Sequence, residues 1–353
     1  MRTVSVPFGD RGYDVLIDEG LLAQAGALCA ARLAPKPEKL LLVADYTVFA
    51  LYGAAAVDSF RAAGFWVDAV TFPAGEHAKS IATLERILEH AAAAELGGGD
   101  CFAALGGGIV GDVTGFAAAC HRRGIRFVQI PTTLLAAVDS SVGGKTGVNL
   151  AAGKNLAGAF WQPSLVICDP ATHQTLFPEE YANGLAETLK HGLLFDAALF
   201  ASLQRGGRLS VDTIARSIEC KRDVVVCDER DTGKRRLLNL GHTLGHAIER
   251  ASDYAIAHGA AVGMGMVLIT RLAQARGWCG AEVLPALLGG LEACGLPTEC
   301  PFAPGALFAA MAQDKKRAGS DITIVVPERI GQCALRKLPF ESLKSMLEDL
   351  WNI

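Results

Sequence analysis

The stretch Cys101-Phe-Ala-Ala-Leu-Gly-Gly-Gly-Ile-Val-Gly-Asp112 has the pattern of a buried strand that turns through glycines into a helix. Its glycines match the G-x-G-x-x-G spacing, which lets a backbone approach a pyrophosphate while the following helix N-terminus favours negative charge. The match does not follow the first strand of the chain, and no acidic residue ends a second strand about twenty residues later. A tight turn that binds nothing would have the same pattern, so this motif alone leaves the ligand open.

Strand-like and helix-like segments alternate around this unit throughout the first half of the chain. The strand-like segments are short and largely apolar, and all but one contain β-branched residues: 39–44, 66–71, 101–105, 126–130 and 164–168. This alternation predicts a largely parallel sheet with crossover helices over residues 1–177. Asp45, Gly107 and Thr132 stand at the ends of three of these segments, where the ligand crevice of an open α/β sheet forms.

Strand patterns nearly stop after residue 178. Five helical patterns follow, over 179–204, 211–228, 234–251, 258–276 and 283–294, and a hairpin pattern over 321–336 precedes a last helix. We therefore predict two domains, an α/β domain over residues 1–177 and a mostly α-helical domain over residues 178–353.

The composition argues against several classes of partner. The 353 residues carry a formal charge of −4, which gives no reason to expect a nucleic acid or a membrane surface as partner. No apolar run reaches the roughly 18 residues that span a bilayer, and the first residues lack the apolar core of a signal peptide. The ten cysteines are scattered without a Cys-x-x-Cys pair, which is typical of reduced, mostly buried thiols in a cytoplasmic protein.

One carboxylate and three imidazoles indicate a metal site in the helical domain. The sequence Asn239-Leu-Gly-His-Thr-Leu-Gly-His246 puts two histidines four residues apart on one helix face, and His258 follows after a short gap. Together with Glu187 they could supply two nitrogens and one oxygen, which leaves coordination positions open for a substrate. The glutamate of a His-Glu-x-x-His metalloprotease is absent. Spacing alone leaves open whether His246 or His258 is the third ligand.

Cationic side chains accompany these candidates and recur in a Gly-rich segment of the first domain. Lys190 follows the candidate carboxylate by one helical turn and falls on the same face. Within residues 122–163, Arg123, Lys145 and Lys154 alternate with glycine turns and apolar residues. Such a segment is typical of a phosphate cradle. A metal beside ammonium and guanidinium groups predicts an enzyme that acts on an anionic substrate.

Taken together, these segments resemble the dehydroquinate synthase family of sugar phosphate cyclases. The resemblance extends from about Asp45 to about Lys316 as a series of motifs in a fixed order. The matching motifs are LGGGIVGD at 105–112, IPTTLL at 130–135, VDSSVGGK at 138–145, GKN at 153–155, NLGHTLGH at 239–246 and DKK at 314–316.

The resemblance implies a fold and a reaction. The fold would be an N-terminal Rossmann-like domain that binds NAD and a mostly α-helical C-terminal domain that holds a divalent metal, zinc or cobalt. The reaction would convert 3-deoxy-D-arabino-heptulosonate 7-phosphate to 3-dehydroquinate and phosphate in the shikimate pathway. NAD would be reduced transiently and regenerated. The resemblance also implies a cytoplasmic homodimer whose partner is a small sugar phosphate.

The resemblance assigns roles to individual residues. It makes Glu187, His242 and His258 the metal ligands and gives His246 to the substrate phosphate. The other residues that it assigns to the phosphate are Lys145, Asn155, Asn239 and Arg123, the last reaching across a dimer interface. Those that it assigns to the substrate carboxylate are Arg235 with Lys315 or Lys316, and those near the substrate hydroxyls are Asp139, Lys190 and Lys221. Those on the NAD-binding segments are Asp45, Glu76, Lys79, Gly107, Gly108, Asp112, Thr132, Thr133, Lys145, Lys154 and Thr175.

One departure from the family pattern concerns the metal site. The family commonly has a glutamate two residues after its last metal ligand, where this chain has Ala260. Outer carboxylates orient metal-bound imidazoles. This position therefore supplies no carboxylate for His258.

Three other functions share parts of this pattern. An inosose or valiolone synthase would act on a sugar phosphate without a carboxylate, yet the chain retains the cations of the carboxylate end. A metal-dependent polyol dehydrogenase would release NADH and would have no use for the cations of the Gly-rich segment. A catalytically inactive relative that serves as a binding protein would not need the intact ligands and lysines.

Overall fold

Nine strands belong to the first of two structural units. The computed structural model describes residues 1–315 and 321–351, and its internal contacts divide the chain into Met1–Phe177 and Pro178–Ile353. The strands of the first unit are β1 Arg2–Val6, β2 Tyr13–Ile17, β3 Lys39–Asp45, β4 Trp66–Phe72, β5 Cys101–Gly106, β6 Arg126–Pro131, β7 Lys145–Leu150, β8 Gly153–Phe160 and β9 Leu165–Cys168. Seven of them form one sheet in the order β1-β2-β9-β6-β5-β3-β4, in which only β1 and β2 pair antiparallel.

Helices cover both faces of this sheet. They are α1 Ala25–Arg32, α2 Tyr46–Val48, α3 Ala54–Ala62, α4 Ile81–Ala93 and α5 Gly108–Cys120. Successive strand residues point to opposite faces, so Leu40 packs in one core with Phe60 of α3, and Leu41 packs in the other core with Ile87 of α4. Burial on both faces explains the continuous apolar runs that predicted the strands.

The strand order reverses between β3 and β5. From β3 the chain forms β4 on one side and then returns to form β5 on the other side of β3. Ligands of such doubly wound sheets bind at the carboxyl ends of the strands at this reversal. Asp45 ends β3 and Gly107 directly follows β5, so two of the predicted residues lie there.

The Gly-rich segment that the sequence presents as turns contains a β-hairpin. β7 pairs antiparallel with β8, with Lys145 opposite Phe160. The hairpin packs against α5, because an added Cβ at Gly115 would lie 2.5 Å from Thr146 Cγ2. It therefore fixes the positions of Lys145, Lys154 and Asn155 relative to α5.

The second unit is mostly helical, as the sequence predicted. Its helices are α6 Pro178–Phe195, α7 Ala197–Leu203, α8 Val211–Cys227, α9 His242–Ala251, α10 His258–Ala275, α11 Val283–Ala293, α12 Pro304–Lys315 and α13 Phe340–Trp351. Its one described hairpin pairs β10 Asp321–Arg329 with β11 Gln332–Pro339. Of the 18 residues of α10, 13 are buried. None of the helices within 1–315 and 321–351 is both long and apolar enough to cross a membrane.

Two predicted helices of this unit are interrupted, and one helix was not predicted. The helix expected over 179–204 breaks at Asp196, whose carboxylate accepts hydrogen bonds from the first amides of α7. The helix expected over 234–251 begins as a 3₁₀ segment, Lys234–Asn239, and restarts at His242 after Gly241, whose φ is 77°. Helix α12 has no clear amphipathic period and went unpredicted.

Candidate active site

The N-terminus of α5 presents an open backbone at the strand reversal. Gly107 and Gly108 carry no side chain there, and both are partly exposed. An added Cβ at Gly108 would lie 3.0 Å from Ser140 Oγ, and one at Gly111 would lie 2.5 Å from Gln129 Oε1. Gly111 therefore leaves room beside α5 for the buried Gln129 side chain of β6. The first amides of the helix remain available to an anion, which fits the pyrophosphate of a dinucleotide.

A buried lysine links three of the predicted residues beside this helix. Lys79 Nζ donates hydrogen bonds to Asp112 Oδ2 and to Asn155 Oδ1, both at 2.5 Å. The Lys79 side chain is 8% exposed. The backbone carbonyl oxygen of Lys79 accepts a hydrogen bond from the amide of Asn149, which connects the loop around Lys79 to the β7–β8 hairpin. Asn155, which we expected at the substrate phosphate, thus lies with two residues expected at NAD.

The remaining residues predicted for the first unit are distributed around the same edge of the sheet. Glu76 accepts a hydrogen bond from Asn149 at 2.6 Å, and Lys154 Nζ lies 3.8 Å from its carboxylate. The Thr175 hydroxyl is 2.7 Å from that of Tyr52. The others stand in fixed backbone positions: Asp45 caps α2, Thr132 and Thr133 follow β6, Asp139 lies in a π-helical turn over 136–140, and Lys145 begins β7.

Arg123 lies away from these residues. It follows α5, whose 13 residues extend about 20 Å at about 1.5 Å per residue. Gly108 starts that helix, so Arg123 is at its opposite end. Its side chain is exposed. The structure therefore does not bring Arg123 to the nucleotide edge of its own unit.

Three helices of the second unit bring the predicted metal ligands together. Glu187 is fully buried in α6, and His242 and His258 are the first residues of α9 and α10. Glu187 Oε1 lies 3.7 Å from His242 Nε2 and 3.5 Å from His258 Nε2. The three ligand atoms lie within 4.8 Å of one another. His246 is not part of this group.

Neighbouring charges lower the pKa of Glu187 and raise that of His258, whereas the pKa of His242 is lowered mainly by burial. Lys190 forms an ion pair with Glu187. Burial alone would raise the pKa of Glu187, but the Lys190 ammonium and the two imidazoles hold it well below its usual range. Burial and the same ammonium keep the pKa of His242 well below its usual range, so its ring is neutral, as a metal ligand must be. Burial would lower the pKa of His258, yet the carboxylates of Glu187 and Glu249 raise it to about 10.

These donors fit a divalent metal. Lys190 forms an ion pair with Glu187 Oε2, whereas Glu187 Oε1 faces the two imidazoles and accepts no hydrogen bond among the described residues. A buried carboxylate oxygen beside two imidazole nitrogens is a donor set that zinc prefers. With three protein ligands, a fourth position would be open to a substrate oxygen.

A cavity of about 230 Å³ lies next to this group. Its lining residues are Arg236, Asn239, His242, Thr243, His246, Thr323 and Leu335. Asn239 and His246, both predicted at the substrate phosphate, are exposed here and offer polar atoms. Sequence reasoning missed Arg236 and Thr323. Arg236 directly follows a predicted site residue, but nothing in the sequence connects Thr323 with this region.

The residues expected at the substrate carboxylate and hydroxyls are partly described. Arg235 is buried, and its Nη1 donates to the Glu229 carbonyl at 2.7 Å. Lys221 is buried on α8. Lys315 ends α12, but its side chain and the whole of Lys316 lie outside the described residues.

Known sequence families match both units. A family model described as 3-dehydroquinate synthase N-terminal matches residues 69–183, and one described as 3-dehydroquinate synthase C-terminal matches residues 184–317. The 3-dehydroquinate synthase of Rhizobium etli is 44% identical over 94% of this chain and 92% of its own length. That of Caulobacter vibrioides is 44% identical over 96% and 95%.

Solved structures match nearly the whole chain. A 2-deoxy-scyllo-inosose synthase complexed with carbaglucose-6-phosphate, NAD+ and Co2+ has a TM-score of 0.89 at 25% identity, over 99% of this chain and 100% of that chain. A 2-epi-5-epi-valiolone synthase from Streptomyces hygroscopicus with NAD+ and Zn2+ has a TM-score of 0.86 at 28% identity, over 100% and 98%. An iron-containing alcohol dehydrogenase from Corynebacterium glutamicum shares only the fold, with a TM-score of 0.63 at 16% identity over 99% and 96%.

Proposed function

The chain belongs to the 3-dehydroquinate synthase family, and we propose that it converts 3-deoxy-D-arabino-heptulosonate 7-phosphate to 3-dehydroquinate and phosphate with NAD and a divalent metal bound. It is then a carbon–oxygen lyase of the shikimate pathway. The observation that carries the proposal is the group of Glu187, His242 and His258, whose ligand atoms lie within 4.8 Å beside the Lys190 ammonium.

The metal is held by Glu187, His242 and His258, and we propose zinc. Two imidazoles and one carboxylate are a common zinc donor set. When bound, the metal would supply Lewis-acid chemistry to a substrate hydroxyl. Lys190 forms an ion pair with Glu187 and keeps that carboxylate ionised. Asp139 and Lys221 take the neighbouring substrate hydroxyls and move protons there.

NAD binds at the N-terminus of α5 and the adjoining strand ends. Gly107 and Gly108 admit the pyrophosphate, and Asp45 at the end of β3 suits a ribose hydroxyl. The other residues of this site are Glu76, Lys79, Asp112, Thr132, Thr133, Lys145, Lys154 and Thr175. Bound NAD supplies a hydride acceptor that is regenerated within the same turnover.

The substrate anions are recognised by fixed charges and amide groups. Lys145, Asn155, Asn239 and His246 bind the phosphate and stabilise it as it leaves. Arg235 binds the carboxylate, since a guanidinium matches two carboxylate oxygens at once. Lys315 or Lys316 supplies a second cation for the carboxylate. Orienting one flexible substrate in this way supplies much of the rate enhancement.

We also propose a homodimer, in which Arg123 reaches the substrate phosphate of the partner subunit. Because it lies at the far end of α5 from Gly108, an intermolecular role at the phosphate suits it better than one in its own chain. We also propose that the enzyme is cytoplasmic. All ten cysteines are free, as is usual in a reducing compartment.

A second candidate is another sugar phosphate cyclase. The overall likeness to inosose and valiolone synthases favours it. The higher identity to 3-dehydroquinate synthases and the presence of Arg235 argue for the carboxylate-bearing substrate.

The test is release of phosphate from the heptulosonate phosphate by purified protein, with and without NAD and a chelator. We expect one phosphate per 3-dehydroquinate, no net change in NADH absorbance, loss of turnover on chelation, and recovery with zinc or cobalt. Full activity in metal-free protein would refute the metal assignment. Stoichiometric accumulation of NADH would instead indicate a polyol dehydrogenase.

A further inference from the structure

The outer side of the His258 ring faces a second carboxylate. While Nε2 points toward Glu187, Nδ1 lies 3.6 Å from Glu249 Oε1. The Glu249 side chain is only 12% exposed. His242 has the same arrangement: its Nε2 faces Glu187 and its Nδ1 lies 3.1 Å from the Leu240 carbonyl oxygen. Each imidazole therefore has an oxygen acceptor near its Nδ1 and the Glu187 carboxylate near its Nε2.

The packing of two helices brings Glu249 to this position. His242, His246 and Glu249 are spaced at i, i+4 and i+7 along α9, so they share one face. That face meets α10 closely, because an added Cβ at Gly245 would lie 3.1 Å from Val262 Cα, and one at Gly265 would overlap the Gly241 carbonyl oxygen. Glycines at both positions thus place Glu249 beside the first residue of α10.

We propose that Glu249 is a positioning residue of the metal site. Its carboxylate lies 3.6 Å from Nδ1, where it would accept the Nδ1 proton of His258, fix the ring orientation and direct Nε2 to the metal. Metal-binding histidines commonly donate their other ring nitrogen in this way, and the acceptor also makes the ligand nitrogen more basic. The inference rests on the proposed metal site and adds one residue to it.

This role explains how the chain tolerates Ala260. Residue 260 follows His258 by two positions on α10, and residues two apart on a helix do not face each other. The carboxylate of Glu249 comes from the neighbouring helix instead, directly at Nδ1. His258 is therefore supported without any acidic residue at position 260.

A rival arrangement uses the same atoms. His246, Glu249 and His258 also have ligand atoms within 4.8 Å of one another, so Glu249 could itself bind a second metal. His258 would then have to coordinate one metal through each nitrogen. A neutral imidazole has a lone pair on only one nitrogen, so that arrangement would require a fully deprotonated ring. The positioning role requires only the ordinary neutral tautomer.

The experiment compares Glu249→Gln with wild type and with Glu292→Gln, which changes an exposed helical glutamate of the same unit. Zinc affinity is measured by chelator competition, bound zinc by elemental analysis, and thermal stability with and without zinc. We expect Glu249→Gln to bind one zinc roughly 10- to 100-fold more weakly, with an altered visible spectrum when cobalt replaces zinc. Its metal-free melting temperature should stay near that of wild type, and Glu292→Gln should match wild type throughout.

Each other outcome overturns the inference in a distinct way. Unchanged zinc affinity and an unchanged cobalt spectrum would show that Glu249 does not position His258. An equal loss of stability with and without zinc would make it a structural residue. Two zinc ions in wild type and one in the variant would make it a ligand. Wild type that binds no zinc would instead refute the metal site of the proposed function.

Discussion

The backbone amide of Gly259 donates a 2.9 Å hydrogen bond to Asn183 Oδ1, and an added Cβ at Gly259 would lie 2.5 Å from Asn183 Cα. This contact holds the first turn of α10 against α6. His258 precedes Gly259, and Glu187 follows Asn183 by one helical turn. The distance between these two proposed metal ligands therefore depends on the absence of a side chain at position 259.

We predict that Gly259→Ala weakens both the fold and the metal site. The methyl group must push α10 from α6, and overpacking of this kind costs about 1–3 kcal/mol of unfolding free energy. Zinc affinity should fall as well, because His258 moves with the helix. Denaturant unfolding and chelator competition measure the two effects.

Gly305→Ala is the matched control for this substitution. Gly305 lies in α12 of the same unit with open space around its Cα. Alanine there should be neutral or slightly stabilising, because it favours the helix. Equal behaviour of the two variants would contradict the importance of the Gly259 contact.

A second prediction concerns Lys79, which bonds Asp112 and Asn155. Lys79→Met keeps the length of the side chain but removes its charge. Loss of a charged hydrogen bond costs about 1.5–3 kcal/mol, so the dissociation constant of NAD should rise about tenfold or more. Fluorescence titration with NAD measures it. Arg61→Met, which removes an exposed cation of the same unit, should leave it unchanged, and an unchanged constant in Lys79→Met would exclude Lys79 from the nucleotide site.

A third prediction concerns pH and the loop that precedes Arg235. The amides of Arg235, Thr232 and Gly233 donate to the Asp228 carboxylate at 2.7–3.0 Å and lower its pKa to about 2. A carboxylate whose pKa is lower in the folded state stabilises the fold above its unfolded pKa, about 3.9. That contribution is lost as the pH falls through the folded value.

The melting temperature of Asp228→Asn should therefore lie below that of wild type by an amount that is constant above about pH 5. The difference should shrink to roughly half at pH 3. Calorimetry over pH 3–8 measures it. Asp223→Asn, at an exposed aspartate of α8, serves as the control. A difference that grows on acidification would contradict the assigned direction of the pKa shift.

The sheet of the first unit could be predicted because its strands are buried on both faces. β3 and β5 therefore appear in the sequence as nearly unbroken apolar runs. The β7–β8 hairpin could not be predicted, because glycines such as Gly147 and Gly158 occupy positions where strands usually carry branched side chains. Those glycines let the two backbones approach, but in sequence they are indistinguishable from turn residues.

Short motifs pointed to Glu187, His242, His246 and His258 as candidate metal ligands, but only the family resemblance chose His258 over His246. Glu249 could not be paired with His258, although its i+7 spacing from His242 was visible in the sequence. Which residue it faces depends on how α9 packs on α10, and that is set by Gly245 and Gly265. The break at Gly241 likewise depends on a left-handed conformation, with φ of 77°.

The last prediction concerns Arg235 and separates the two cyclase assignments. A guanidinium can form a two-pronged contact with a carboxylate that a lysine cannot copy, and this is the role that we propose for Arg235. Removing it leaves the substrate anion poorly paired, at a cost of about 1.5–3 kcal/mol. That cost corresponds to a loss of about tenfold to two-hundredfold in kcat/KM. Arg235→Ala and Arg235→Lys should both lose activity on the heptulosonate phosphate, whereas Arg276→Ala, at an exposed ion pair, should not.

Wild type should not cyclise glucose 6-phosphate or sedoheptulose 7-phosphate, which lack the carboxylate. Efficient cyclisation of either sugar, with little effect of the Arg235 substitutions, would replace the dehydroquinate assignment by that of another sugar phosphate cyclase, because the fold and the metal ligands are common to both.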